Sequence, residues 1–154
     1  MTDAAVDVSL VEVGPRDGLQ NEKRPIPTGD KIAFVEALAE SGLARIEATA
    51  FVAPSAVPQL ADGEAVLLGL RRKDGVRYGA LVPNEKGLAR ALAADADEIA
   101  VFTAASESFV RKNINASIDE SFARFRPVVQ GAKAAGKRTR GYVSTVVACP
   151  FEGA

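Results

Sequence analysis

Val11-Glu12-Val13-Gly14-Pro15-Arg16-Asp17-Gly18-Leu19-Gln20-Asn21-Glu22 joins an apolar run to a charged turn. The run, Val8 to Val13, is rich in β-branched residues and alternates imperfectly, the pattern of a buried strand. Gly14-Pro15 ends it, because proline lacks an N–H and glycine weakens the ladder. A guanidinium and a carboxylate, Arg16 and Asp17, follow at once, then Gly18, the amide of Gln20 and Glu22. Charged groups at the carboxyl end of a buried strand sit where α/β proteins place their chemistry. Without further context, the same residues also describe a surface turn with an ordinary ion pair.

Downstream, strand and helix patterns alternate. A loop with prolines at 25 and 27 leads to Thr28, a candidate N-cap, and Asp30 suits the positive end of the helix that follows. Ile32, Val35, Leu38 and Ala39 recur at helical spacing, and Gly42 closes that helix. Ala44 to Phe51 reads as a second strand carrying the carboxylate Glu47, and Asp62 to about Arg72 as a helix. Tyr78 to Val82 is a third strand, Glu85 to Ala94 a short helix, and Glu98 to Thr103 a fourth strand. Ser106 to Asn115 reads as a polar connection. Ser117 and Glu120 then form a capping box for a helix to about Ala135, perturbed at Pro127 and ended by Gly136. Arg140 to Val147 is a fifth strand, stopped by Cys149-Pro150.

One strand in roughly 30 residues is the βαβ period, which makes a parallel sheet faced by helices. Two architectures compete, an open doubly wound sheet and a (β/α)8 barrel. A whole barrel takes about 250 residues, so 154 residues supply about five of its eight strands. By pattern alone the open sheet has the slight advantage. Its usual ligand does not fit, however: neither Gly-x-Gly-x-x-Gly nor Gly-x-x-x-x-Gly-Lys-Ser/Thr occurs, and the first turn is built on Arg-Asp instead.

Composition narrows the chemistry. Hydrophobic residues are 47% and charged residues 25%, as in ordinary globular proteins, and a net charge of −1 offers no attraction for nucleic acid or an anionic membrane. The chain has no histidine, which excludes a Ser-His-Asp triad, a histidine zinc site and a histidine general base within it. One cysteine, Cys149, allows no intrachain disulfide. The first dozen residues carry Asp3 and Asp7, no basic region and no long apolar core, so no targeting segment or membrane partner is expected and a cytoplasmic location is.

The motifs carry a resemblance. Val11 to Glu22, Ile46-Glu-Ala-Thr-Ala-Phe-Val-Ala-Pro54, Val57-Pro-Gln59, Lys112-Asn-Ile-Asn115, Arg140-Gly-Tyr-Val-Ser144 and Cys149-Pro-Phe-Glu-Gly153 occur in this order over nearly the whole chain. They resemble the amino-terminal half of the 3-hydroxy-3-methylglutaryl-CoA lyase family, within the Asp-Arg-Glu metallolyase group. The resemblance implies an incomplete TIM barrel of about the first five βα units, with residues 1–154 as the amino-terminal part of a single catalytic domain. It implies cleavage of an acyl-CoA substrate to acetyl-CoA and acetoacetate, a divalent cation (Mg2+ or Mn2+), and a homo-oligomer, a dimer, for the full-length protein. A related Claisen condensing enzyme of the isopropylmalate-synthase type, and a non-catalytic fragment that binds CoA or a partner, are the alternatives.

By the same resemblance Asp17 is the metal ligand, Arg16 the catalytic donor to the developing enolate, and Glu47, at the end of the second strand, a catalytic acid/base or the holder of Arg16. Arg16 falls on the substrate side, and Gln20 reads as an amide that orders the loop or the substrate, or as a plain surface amide. By their spacing of two, Arg140, Tyr142 and Ser144 share one strand face, which is either the substrate side or a polar interior layer that only packs. Asn113 and Asn115 fall near the CoA moiety. Arg111 and Lys112 could meet CoA phosphates or be solvated charges. Two departures stand out. Ala50 occupies a position where many relatives carry serine. The family's two histidine ligands, asparagine ligand and catalytic cysteine come from its second half, and Cys149 belongs to another motif, so it reads as a structural thiol. The chain alone is therefore expected to be inactive.

Overall fold

A computed structural model describes residues 8–153. Its elements run α1 (Thr28–Glu40), β1 (Arg45–Ala50), α2 (Gly63–Gly69), β2 (Arg77–Leu81), α3 (Glu85–Ala93), β3 (Glu98–Ala104), α4 (Glu107–Ile114), α5 (Ile118–Ala134) and β4 (Arg138–Ser144). The four strands are parallel and lie side by side in chain order. Glu12 extends the sheet on the far side of β1: its N–H donates to the Arg45 carbonyl at 3.0 Å, and Glu47 N–H donates to the Glu12 carbonyl at 2.8 Å. A doubly wound sheet reverses its order at a switch point. Here the order never reverses, and the winding is that of a barrel wall.

The two faces of the sheet differ as barrel faces do. Ile46 and Ala48, Tyr78 and Ala80, and Ile99 point to one side, where they pack with Val35 and Ala39 of α1, Leu67 of α2, Leu88 and Ala91 of α3, and Val128 and Ala132 of α5. Burial of this surface is the main term holding helices to strands. The opposite face carries Ala50, Leu81 and Ala100, joined by Leu60, Phe102 and Tyr142. That inner face also carries the charges.

Several expectations need correction. Val8 to Val13 is not a regular strand. Glu12 is its bridging residue, and Val8 and Leu10 are 72% and 70% exposed. The segment has β1 on one edge, and among the described residues nothing pairs its other edge, so half of the ladder that would flatten it is missing. Thr28 is not the cap of α1; Pro27 is, and the Thr28 hydroxyl donates to Asp62 Oδ2 at 2.6 Å instead. The helix expected to Arg72 stops at Gly69, and Leu70 turns extended. Ser106 to Asn115 is not a plain connection. Ser106 caps α4 by accepting from Phe109 N–H, and Asn115 closes it with φ 50°. The last strand begins two residues earlier than expected and ends at Ser144, because Thr145 takes φ 57° and leaves the extended region.

The Ser117–Glu120 capping box forms as expected. α5 runs unbroken through Pro127. Gly42 and Gly136 follow their helices with φ of 95° and 70°, backbone that favours glycine. No helix among the described residues is long and apolar enough to cross a membrane.

Candidate active site

Strand register sets the site. Glu47 of β1 stands opposite Gly79 of β2, and Gly79 stands opposite Glu98 of β3, so two buried carboxylates flank a position without a side chain on the inner face. A Cβ at Gly79 would lie 3.3 Å from the Glu98 carbonyl oxygen and 3.4 Å from the Glu98 Cβ, a tighter contact than side chains usually make. Arg140 lies one step toward the carboxyl ends, opposite Ala100, and Tyr142 one further, opposite Phe102. Both reach back down. Arg140 Nε donates to Glu98 Oε1 at 3.2 Å, and the Tyr142 hydroxyl donates to Glu47 Oε2 at 2.8 Å.

The first turn enters from the rim. Gly14–Gly18 is a single π-helical turn, closed by the Leu19 N–H donating to the Gly14 carbonyl, and at its start the Asp17 N–H donates to the Val13 carbonyl at 2.7 Å. Such wide turns are common at functional sites. Glu12 Oε1 accepts from the Gly14 N–H at 2.5 Å and ties the entry of the turn to the sheet. Arg16 then points inward. Its Nε donates to Glu47 Oε1 at 2.5 Å, its Nη1 to Asp17 Oδ1 at 2.7 Å, and its guanidinium lies 5.8 Å from the Tyr142 ring centre. The Arg16 side chain is 12% exposed and that of Glu47 3%, a setting where an unpaired carboxylate would cost several kcal/mol. Glu47 is paired at both oxygens. Burial pushes the Tyr142 phenol up to about 12, and the Glu47 charge and hydrogen bond push in the same direction.

Asp17 has a different environment. Its side chain is 53% exposed, and its Oδ1 accepts from both Arg16 and Gln20, the latter at 2.9 Å. Asn21 Nδ2 donates to the Asp17 carbonyl at 2.8 Å. No hydrogen bond engages Oδ2 among the described residues, so the carboxylate offers one hard oxygen to solvent. A divalent cation of the Mg2+ type takes about six such donors. Among the described residues no group of three acidic, cysteine or histidine side chains converges, so these residues do not make a complete cation site.

The sequence-derived residues divide accordingly. Arg16, Asp17, Glu47, Gln20 and Tyr142 are brought together. Arg140 stands beside them, with its guanidinium 5.7 Å from the Tyr142 ring centre, but it pairs with Glu98. Glu47 is not at the end of its strand; it is the third residue of β1, below the rim. Ser144 is the last residue of β4, and no side-chain hydrogen bond joins it to the cluster; its carbonyl accepts from Ala105 N–H. Asn113 lies exposed within α4 and Asn115 is the exposed cap, neither bonded to Arg16, Asp17 or Glu47.

Some members were not foreseen. Glu98 pairs with Arg45 as well as Arg140, with Arg138 at 3.8 Å. Its position three residues ahead of Val101 at the start of a strand hides that role, since an acid there also suits a solvated edge. Gln59, Lys31 and Asp62 form a second cluster beneath the loop that follows the turn. Cys149 is buried beside Ser106, whose Oγ is 2.9 Å from Sγ. Burial raises its thiol pKa, but hydrogen bonds from the Ser106 hydroxyl and the Phe151 and Glu152 N–H groups outweigh this and hold it below the ordinary value.

Comparison with known proteins agrees with this geometry. The chain matches the family described as HMGL-like over residues 7–152. It is 56% identical over 146 residues to the mitochondrial hydroxymethylglutaryl-CoA lyase of Bos taurus, covering 95% of this chain and 45% of that protein. The HMG-CoA lyase structure from Brucella melitensis superposes with a TM-score of 0.92 at 58% identity, covering 95% of this chain and 52% of that one. An HMG-CoA lyase from Acenitobacter baumannii, solved with coenzyme A and 3-methylmalate, gives a TM-score of 0.92 at 39% identity, covering 99% and 50%. The chain thus spans about half the length of the relatives it matches. The cytoplasmic location expected from the first residues is not upheld, because relatives this similar are named mitochondrial while others are named cytoplasmic. The parallel wall in chain order, the inward Arg16–Glu47 pair at its rim and the match along nearly the whole sequence agree: this chain belongs to the HMGL-like family.

Proposed function

We propose that the protein carrying this chain cleaves 3-hydroxy-3-methylglutaryl-CoA to acetyl-CoA and acetoacetate, and that residues 1–154 are the amino-terminal part of its single TIM-barrel catalytic domain. The observation that carries this is Arg16, held rigidly by Glu47 on one side and Asp17 on the other. Among the described residues its Nη2 makes no hydrogen bond, so this donor is available to a ligand at the rim.

In the reaction the tertiary hydroxyl loses its proton and becomes the ketone of acetoacetate. The adjacent C–C bond breaks, its electron pair passes into the thioester as an enolate, and a proton on carbon completes acetyl-CoA. Arg16 Nη2 donates to the thioester oxygen as charge grows there. A preorganised donor of this kind is worth about 3 kcal/mol of barrier. Glu47 holds the donor in place; because Arg16 and Tyr142 occupy both of its oxygens, this reading is favoured over proton transfer by Glu47. Asp17 would supply one oxygen ligand to a Mg2+ or Mn2+ ion whose other ligands these residues do not provide. Such an ion acts as a Lewis acid on the hydroxyl when bound. Arg140 and Tyr142 line the acyl side, and Asn113 and Asn115 at the end of α4 face the CoA moiety.

The test is release of acetoacetate from 3-hydroxy-3-methylglutaryl-CoA by the intact protein with Mg2+ or Mn2+, monitored with D17N and R16Q alongside. Turnover abolished by either substitution is expected. A fully active D17N enzyme would remove Asp17 from the metal, and no turnover by the intact protein would end the lyase reading. The 154-residue chain by itself is expected to show negligible turnover, since it has no histidine to complete a metal site or act as base.

A further inference from the structure

Gln59 lies in none of the machinery just described, yet it makes a distinctive pair of contacts. It sits in the short 3-10 turn Pro58–Leu60, between β1 and α2. Its side-chain Nε2 donates to two carbonyls at once, that of Glu22 at 2.6 Å and that of Arg24 at 2.9 Å. An amide nitrogen carries two protons, so one Gln can serve both acceptors. The turn is itself anchored from below. Leu60 is buried, and the Gln59 carbonyl accepts from the ammonium of Lys31, which is 5% exposed and pairs with Asp62 Oδ1 at 2.6 Å.

The segment Gln59 grips is otherwise poorly held. Residues 21–25 are exposed, and among the described residues no other side chain from outside the segment hydrogen-bonds to residues 21–25. Just upstream is the 3-10 turn Leu19–Asn21, whose Gln20 and Asn21 side chains bond Asp17 at Oδ1 and at the carbonyl. The Asp17 turn is therefore clamped at two points: inward by Arg16 on Glu47, and downstream by Gln59 on the residues that follow Asn21.

We propose that Gln59 is a positioning residue for Asp17, acting through the 19–24 segment and touching neither substrate nor metal. The link to catalysis rests on the function proposed above, but the clamp does not. Q59E keeps the shape and removes both donors, placing an acceptor against two carbonyls. The intact protein and Q59E are compared by trypsin cleavage after Lys23, by the side-chain amide NMR signals of Gln20 and Asn21, and by thioester cleavage. Cleavage about tenfold faster and collapse of the two amide signals toward free-amide positions are expected, with melting temperature nearly unchanged because the site is a surface loop. kcat/KM is expected to fall about tenfold, since small misplacements of catalytic groups are costly. Q59A should show the same direction.

Unaltered trypsin cleavage or unaltered Gln20 and Asn21 signals in both variants would overturn the clamp. A loosened segment with unchanged kcat/KM would overturn the positioning role. If the unsubstituted protein shows no thioester cleavage, the proposed function fails while the protease and NMR readouts still decide the clamp.

Discussion

The hydroxyl of Tyr142 donates to Glu47 Oε2 at 2.8 Å, joining β4 to β1 across 95 residues of chain. With Arg16 on the other oxygen, the contact saturates a buried carboxylate and fixes the guanidinium that faces the rim. It also has a spectroscopic signature. The Tyr142 phenol is raised to about 12 by burial and by Glu47. The chain has two tyrosines and no tryptophan, so phenolate absorbance can be followed with little interference. E47Q is expected to return part of the elevation. Because the folded value lies above the ordinary one of about 10, this group's contribution to stability is complete below that pH and is lost as pH rises through the folded value. Denaturation across that alkaline window should show the decline in the unsubstituted protein and a smaller one in Y142F.

R16K keeps the charge and loses the fork. A lysine ammonium cannot hold Glu47 and Asp17 while still presenting a third donor outward. Thioester cleavage by the intact protein is expected to fall by about a hundredfold or more, with modest change in KM, as for loss of one oxyanion donor. Steady-state kinetics at saturating cation would measure it, and near-normal turnover would contradict the role given to Arg16.

Asp62 provides the acid-side counterpart. Burial pushes its carboxyl up, but hydrogen bonds from Lys31 and Thr28 and the Lys31 charge outweigh this and leave it below the usual range. A depressed folded value means a contribution present above about pH 4 and lost as pH falls through that folded value. D62N should therefore cost stability at neutral pH, and the gap from the unsubstituted protein should close in acid. Urea unfolding at the two pH values would show it.

Gly87, in the first turn of α3, packs where a Cβ would sit 2.8 Å from the Phe51 carbonyl oxygen. Alanine has better helix propensity by about 1 kcal/mol. The obstruction is backbone, which cannot rotate away, so overpacking should win. G87A is expected to destabilise by about 1–3 kcal/mol in chemical denaturation.

How much of this was legible from sequence follows from where the information resides. The four parallel strands and the Ser117 capping box were evident because local apolar runs and one side-chain pattern encode them. The first segment was misread because Val8 and Leu10 suit a strand, yet a strand needs neighbours as well as propensity. α4 was missed because only Phe109, Val110 and Ile114 interrupt its polar surface. The signals were present in the Ser106 cap, the acid Glu107 in the first turn and the bases Arg111 and Lys112 in the last. Thr28 has the chemistry of a cap, but a nearby carboxylate, Asp62, claims its hydroxyl. Within the site, Arg16, Asp17 and Glu47 were legible from motifs. Glu98 was not, and Gln59 was legible only as part of the Val57-Pro-Gln59 motif, because each acts through a partner far along the chain, and no local spacing reveals a hydrogen bond between residues 59 and 22 or 98 and 45.

The sheet adds its strands one after another in the direction of the chain, and each connection returns above the strand it has just left. Every such connection therefore owns one sector of the mouth. Lengthening or recoding the turn after one strand would reshape the opening on that side and leave the opposite wall as it was. The turn that carries Arg16 and Asp17 and the loops around β3 and β4 thus belong to separate connections, and one can be recoded while the other keeps its frame.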